Sequence, residues 1–178
     1  MEFDLQPTYL KNDSIFLQPL NPNDFEALFK VASDPLIWEQ HPNKNRYQRE
    51  VFEVFFEGAI LSKGAFMVYD TNTKALIGSS RFYDYNKAEN CITIGYTFIA
   101  KAYWGKLCNK ALKGIMLNYA FKHVNTVLFY IGSNNIRSQK AIQKIGAIKI
   151  QEQNVTYFGE EEKLNFVYQI NKHAAFVP

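Results

Sequence analysis

Three lysines, Lys106, Lys110 and Lys113, recur at i, i+4 and i+7 where an aromatic loop, AYWGK, runs into an apolar repeat of helical spacing. The first N–H groups of a helix lack intrahelical acceptors and its dipole is positive at that end, so such a junction can hold an anion. A second set, Arg137, Lys140 and Lys144, falls at i, i+3 and i+7 where a later helix begins. One charge row on a helix is commonly a solvated face. Two rows, each opening a helix that directly follows a strand, predict that adjacent strand ends bring them together around one polyanion.

The elements that must position these cations follow from periodicity. SIFLQPL (Ser14–Leu20) reads as a first strand, with Pro19 favouring a sheet edge. NPNDFEALFKVASDP carries a helix capped by Asn23 or Asp24, whose Phe25, Leu28, Phe29 and Ala32 share one face. A second helix is expected from about Arg46 to Leu61, with Phe52, Phe55, Phe56 and Ala59 as its stripe, and LIWEQHPNKN between them as a loop. After Gly64 the period becomes that of strands. AFMVYD and ALIGSSRFYDY form a hairpin, CITIGYTFIA follows, and VNTVLFYIGS lies beyond the opening helix, where Leu112, Ile115, Met116, Tyr119 and Ala120 face the core. NNIRSQKAIQKIG is a short helix, and AIKIQE and LNFVYQI close the chain as strands. The expectation is one α+β domain over residues 1–178, a mixed sheet with helices on both faces.

Composition excludes several classes. Apolar residues at 47% and aromatics at 16% of 178 residues supply a core, and a net charge of +3 argues for neither nucleic-acid nor membrane binding. There is no leader-like N-terminus and no apolar run of the roughly 20 residues a membrane helix needs. Cys91 and Cys108 have no metal-ligand spacing. A cytoplasmic protein without a bound metal is the expectation.

The segments IGYTFIAKAYWGK, NKALKGIMLNYAF and SNNIRSQKAIQKIGA, in this order, resemble the GNAT superfamily of acyl-CoA-dependent N-acetyltransferases, and within it the branch of ribosomal-protein N-terminal acetyltransferases. The resemblance spans nearly the whole chain. It implies that the strands CITIGYTFIA and VLFYIGS splay apart and admit the pantetheine arm of acetyl-CoA, with Phe98 and Ile99 offering backbone hydrogen bonds as in strand addition. It assigns the pyrophosphate to the loop and helix start Trp104, Gly105, Lys106, Leu107, Cys108, Asn109 and Lys110. Asn135 would hold a pantetheine amide, and Ser138 would protonate the departing thiolate. The implied reaction is acetyl transfer from acetyl-CoA to a primary amine (a protein N-terminus, an amino acid or another small amine) by direct attack in a ternary complex. A non-catalytic acyl-CoA-binding or regulatory domain is the alternative, and a basic nucleic-acid surface is a weaker one.

The chain departs from the family pattern at several positions. Leu107 stands where a second glycine is usual, so the loop is expected to curve differently or bind more weakly. Ile142 replaces a tyrosine that serves many relatives as general acid, and Thr93 replaces a frequent acid. The attacking amine must be neutral, so a proton acceptor is required unless its pKa is low. Tyr96, Glu39, His41 and the run Glu160-Glu161-Glu162 are the candidates. The acceptor pocket is expected between the N-terminal helices and the hairpin, lined by Trp38, Arg81 and Tyr83, with Arg81 either favouring an anionic acceptor or paired with an acid such as Asp84. Cys108 is expected to pack by the loop and not to act as a nucleophile.

Overall fold

The computed structural model describes residues 3–173. Seven strands form one mixed sheet: β1 (Ile15–Pro19), β2 (Ala65–Asp70), β3 (Leu76–Asn86), β4 (Cys91–Ile99), β5 (Thr126–Gly132), β6 (Ile148–Thr156) and β7 (Glu162–Asn171), ordered β1-β2-β3-β4-β5-β7-β6. Pro19 lies on the edge strand β1, as expected for a residue without an N–H. Five α-helices accompany them: α1 (Phe25–Ala32), α2 (Pro35–Trp38), α3 (Arg49–Leu61), α4 (Cys108–Ala120) and α5 (Ile136–Gln143).

Two apolar layers hold helices to opposite faces of the sheet. On one, Leu112, Ile115, Met116, Tyr119 and Ala120 of α4 pack with Phe82, Ile92, Val127 and Phe129. On the other, Leu28 and Ala32 of α1 and Phe52, Phe55, Phe56 and Ala59 of α3 pack with Trp38, Met67 and Phe98. Each buried aromatic of α3 contributes about 2–3 kcal/mol of apolar burial, which is what fixes that helix to the sheet. Two boundaries differ from the periodicity. LIWEQHPNKN is not wholly a loop, because Asp34 accepts the Leu36 N–H and caps the one-turn helix α2. α3 starts three residues after Arg46, whose side chain is drawn into the core instead.

The sheet carries a defect that makes room for a site. β4 and β5 pair in parallel for only three residues, Cys91↔Thr126, Ile92↔Val127 and Thr93↔Leu128. Each strand stays anchored on its far side, β4 to β3 as far as Ile99↔Gly78 and β5 to β7 along its whole length. A bulge drives them apart: between Gly95 and Phe98, β4 uses one residue more than β3, and Tyr96 adopts φ 51°. Gly95 beside it leaves room for the Tyr83 ring, since a Cβ there would lie 2.9 Å from that ring and displace it. Among the described residues no helix is long and apolar enough to cross a membrane.

Candidate active site

The gap between β4 and β5 opens into a cavity of about 560 Å³, within the range of small-molecule clefts. Its lining joins the two helix mouths that the sequence predicts to converge: Trp104, Gly105, Lys106, Leu107, Asn109 and Lys110 on one side, Asn135, Arg137, Ser138, Lys140 and Lys144 on the other. Seven basic residues line it (Arg46, Lys106, Lys110, Lys113, Arg137, Lys140 and Lys144), and among the described residues no aspartate or glutamate does.

The mouth of α4 is open. Leu107, at the N-cap, makes no side-chain cap, so the first-turn N–H groups are left for a ligand. The loop needs one glycine, not two: Gly105 has φ 73°, whereas Leu107 sits at φ −72° with its side chain in solvent. The replacement of the usual second glycine therefore imposes no backbone strain: the loop turns at Gly105 alone, in line with the expectation that it would curve differently around Leu107. Cys108 is buried, does not line the cavity, and has its thiol pKa raised by burial, an environment that suppresses nucleophilicity.

Deeper in the gap, the two residues expected to offer backbone bonds face opposite ways. Strand backbones alternate direction. The Phe98 carbonyl is turned against Gly78 of β3, while the Ile99 carbonyl accepts the Trp104 indole N–H at 2.8 Å on the gap side. Ile99 therefore presents the free N–H to the gap, and Phe98 spends its backbone on the ladder. On α5, the Asn135 side-chain oxygen caps the helix by accepting the Ser138 N–H at 3.1 Å. Its amide NH2 and the Ser138 hydroxyl make no hydrogen bond among the described residues, and both residues line the cavity. The Arg137 guanidinium stacks 3.9 Å above the Trp104 ring and donates to the Ile37 carbonyl, tying the two sides of the gap together.

On the face of α1 and α3, Tyr96 lines the cavity, its ring 5.3 Å from that of Tyr157. Burial raises the Tyr96 phenol above its ordinary pKa despite the nearby Arg81 and Arg46, so it holds its proton at neutral pH. His41 also lines the cavity, and burial, with the cations Arg46 and Arg137, lowers its pKa to about 3. An imidazole so reluctant to bind a proton is a poor base. Glu160 is committed to Arg46 in a bidentate pair at 2.7 Å, with side chains only 3% and 10% exposed. Glu39, Glu161 and Glu162 are exposed and outside the lining.

Trp38, Arg81 and Tyr83 do not line the cavity. Trp38 is fully buried and donates its indole N–H to the Ala32 carbonyl. Arg81 lies behind Tyr96, 3.7 Å from its ring centroid, and donates to the Phe55 carbonyl, with no carboxylate partner among the described residues; burial lowers its pKa to about 10. Tyr83 packs edge-on to Tyr96 at 5.1 Å. Arg81 and Tyr83 support Tyr96 from behind, while Trp38 packs against Phe55 and Phe98. Sequence reasoning missed Arg46 and Tyr157 as lining, because both are brought in by tertiary contacts between segments more than a hundred residues apart. It also took Lys113 for a member of a surface row, whereas the side chain is 6% exposed.

The architecture is shared with known proteins. Among curated proteins, no sequence matches significantly. Solved structures with this fold include a GNAT-family acetyltransferase from Bacillus anthracis (19% identity over 93% of this chain and 99% of that one, TM-score 0.73). A candidate ribosomal-protein-serine acetyltransferase from Vibrio cholerae matches at 14% identity over 91% and 96%, TM-score 0.71. The spermidine N-acetyltransferase of Vibrio cholerae, solved with CoA and spermine, matches at 16% identity over 92% and 98%, TM-score 0.67. The family model described as the acetyltransferase (GNAT) domain matches residues 14–148, most of the chain, and with the divergent β4–β5 pair it establishes that this protein belongs to the GNAT acetyltransferase family.

Proposed function

We propose that the protein transfers the acetyl group of acetyl-CoA to a primary amine of low pKa, an α-amino group of a peptide or amino acid, by direct attack. The carrying observation is the β4–β5 gap whose lining carries seven basic residues and, among the described residues, no acidic one. The residues fit the donor: an uncapped helix start with Lys106 and Lys110 suits a pyrophosphate, and the Ile99 N–H, the Asn135 amide and the open gap suit a pantetheine arm.

In the reaction, the neutral amine forms a bond to the thioester carbon, the C–S bond breaks, and the thiolate leaves. Ser138, with a hydroxyl free to turn, donates the proton that the thiolate takes up, and the proton released by the newly acylated nitrogen passes through solvent water and restores the Ser138 hydroxyl. Tyr96 keeps its proton and acts as a hydrogen-bond donor at the bulge, not as the base. Of the candidate bases, Tyr96 keeps its proton, His41 is a poor base, Glu160 is paired with Arg46, and Glu39, Glu161 and Glu162 lie outside the lining, which favours acceptors already partly neutral at physiological pH. An α-amino group at roughly 8 meets that condition and a lysine-like amine at roughly 10.4 does not. The same cations oppose a polyamine, so the acceptor of the spermidine enzyme is not carried over with its fold. The active-site placement of Tyr96, together with a donor channel continuous with it, favours an enzyme over a binding domain. Thiol release from acetyl-CoA with a panel of short peptides, amino acids and spermidine tests the proposal. Turnover with an α-amine and little with spermidine is expected; binding without turnover on any amine would favour the regulatory alternative.

A further inference from the structure

Lys113 does not belong to the charge row that its spacing suggests. It projects from α4, more than a turn into the helix, and its side chain is 6% exposed beneath the place where β4 and β5 part. Its Nζ donates to Thr97 Oγ1 of β4 at 2.6 Å and lies 5.6 Å from the Phe129 ring centroid of β5. Thr97 is in turn held by Ser80, whose hydroxyl lies 2.7 Å from the Thr97 hydroxyl. Among the described residues no carboxylate pairs with Lys113, and no second acceptor is supplied, although an amine carries two or three N–H bonds. The residue lines the cavity, so the spare donors lie on the route through the gap. Burial lowers its pKa to about 7, so near neutrality much of the population is an uncharged amine. Such a group suits a neutral carbonyl better than a phosphate, for which Lys106 and Lys110 wait at the exposed mouth.

We propose that Lys113 is a donor-binding residue whose Nζ, oriented by Thr97, hydrogen-bonds a carbonyl oxygen of the pantetheine arm inside the β4–β5 gap. This rests on the acetyl-CoA reading above. The amide carbonyls of that arm are the acceptors a strand-like ligand would bring to this depth, and the contact would distinguish the arm from the nucleotide.

Calorimetric titration of the full chain with coenzyme A, with pantetheine and with the nucleotide half of coenzyme A alone tests it. In Lys113→Met, affinity for coenzyme A and for pantetheine should fall by the same factor, about five- to tenfold for one buried hydrogen bond, while the nucleotide half binds unchanged. Thr97→Val, which keeps the amine but removes its anchor, should weaken the same two ligands by a smaller factor and keeps the test available if the first variant folds poorly. Wild-type affinity for pantetheine in both variants would overturn the proposal, as would a loss confined to the nucleotide half. An acetyl group found on Lys113 by peptide mass after incubation with acetyl-CoA would overturn it in favour of self-acylation. Failure of the wild-type chain to bind coenzyme A at all would instead remove the acetyl-CoA reading.

Discussion

Replacing Lys113 by methionine should change how stability depends on pH. The structure buries this amine against Thr97 and Phe129 with no carboxylate partner among the described residues, and its pKa falls from 10.5 to about 7. Between those values the unfolded chain holds a proton that the folded chain has released. Stability of the wild type therefore rises as pH increases through that window, by about 1.4 kcal/mol per pH unit, and the burden of the buried charge is fully present below the folded value. The total across the window is about 5 kcal/mol. Methionine has similar volume and no charge, and leaves the Thr97 hydroxyl its Ser80 partner. At about pH 6 the variant should be the more stable protein, and its lead should shrink by about 2–3 kcal/mol by about pH 9. Urea unfolding of both proteins across that range measures the difference directly. Parallel profiles would refute the reasoning, since they would mean that the amine keeps an ordinary pKa in the folded chain.

Other outcomes follow from the same geometry. Lys106→Glu and Lys110→Glu should each weaken coenzyme A binding about tenfold or more in calorimetry, with the loss shrinking at high salt; unchanged affinity would mean the phosphates lie elsewhere. Arg46→Met should lower stability in thermal or chemical denaturation by about 3–5 kcal/mol, because Glu160 is left buried and unpaired, and Arg46→Met with Glu160→Leu should recover much of that loss. Ser138→Ala should reduce kcat in a thiol-release assay with little change in the KM for acetyl-CoA, and a wild-type rate would remove it from the mechanism.

Much of this was legible in the sequence because it is local. The apolar stripes of α1, α3 and α4 carry their periods within each helix, and the Lys106 and Arg137 rows each announce a helix mouth. Their convergence followed from each helix trailing a strand of the same sheet. What stayed hidden depends on contacts distant in the chain. Arg46 reads as the start of a helix, yet Glu160 from the turn before β7 draws it into the core. Arg81 reads as a pocket residue or as half of an ion pair with Asp84, yet the bulge at Tyr96 places an aromatic ring over it. Lys113 shares the spacing of Lys106 and Lys110, but Lys106 precedes the helix, so the shared spacing does not give a shared face. Leu107 in place of a glycine left two outcomes open, a different curve or weaker binding, and the loop takes a different curve by turning at Gly105 alone.

The most direct test of the account is chemical denaturation with and without saturating coenzyme A. At one hundred times its Kd the ligand should raise the unfolding free energy of the wild-type chain by about 2.7 kcal/mol, and the gain should be smaller in Lys106→Glu at the same ligand concentration. Superimposable unfolding curves at every ligand concentration would contradict the claim that the divergence of β4 and β5 is an acyl-CoA site.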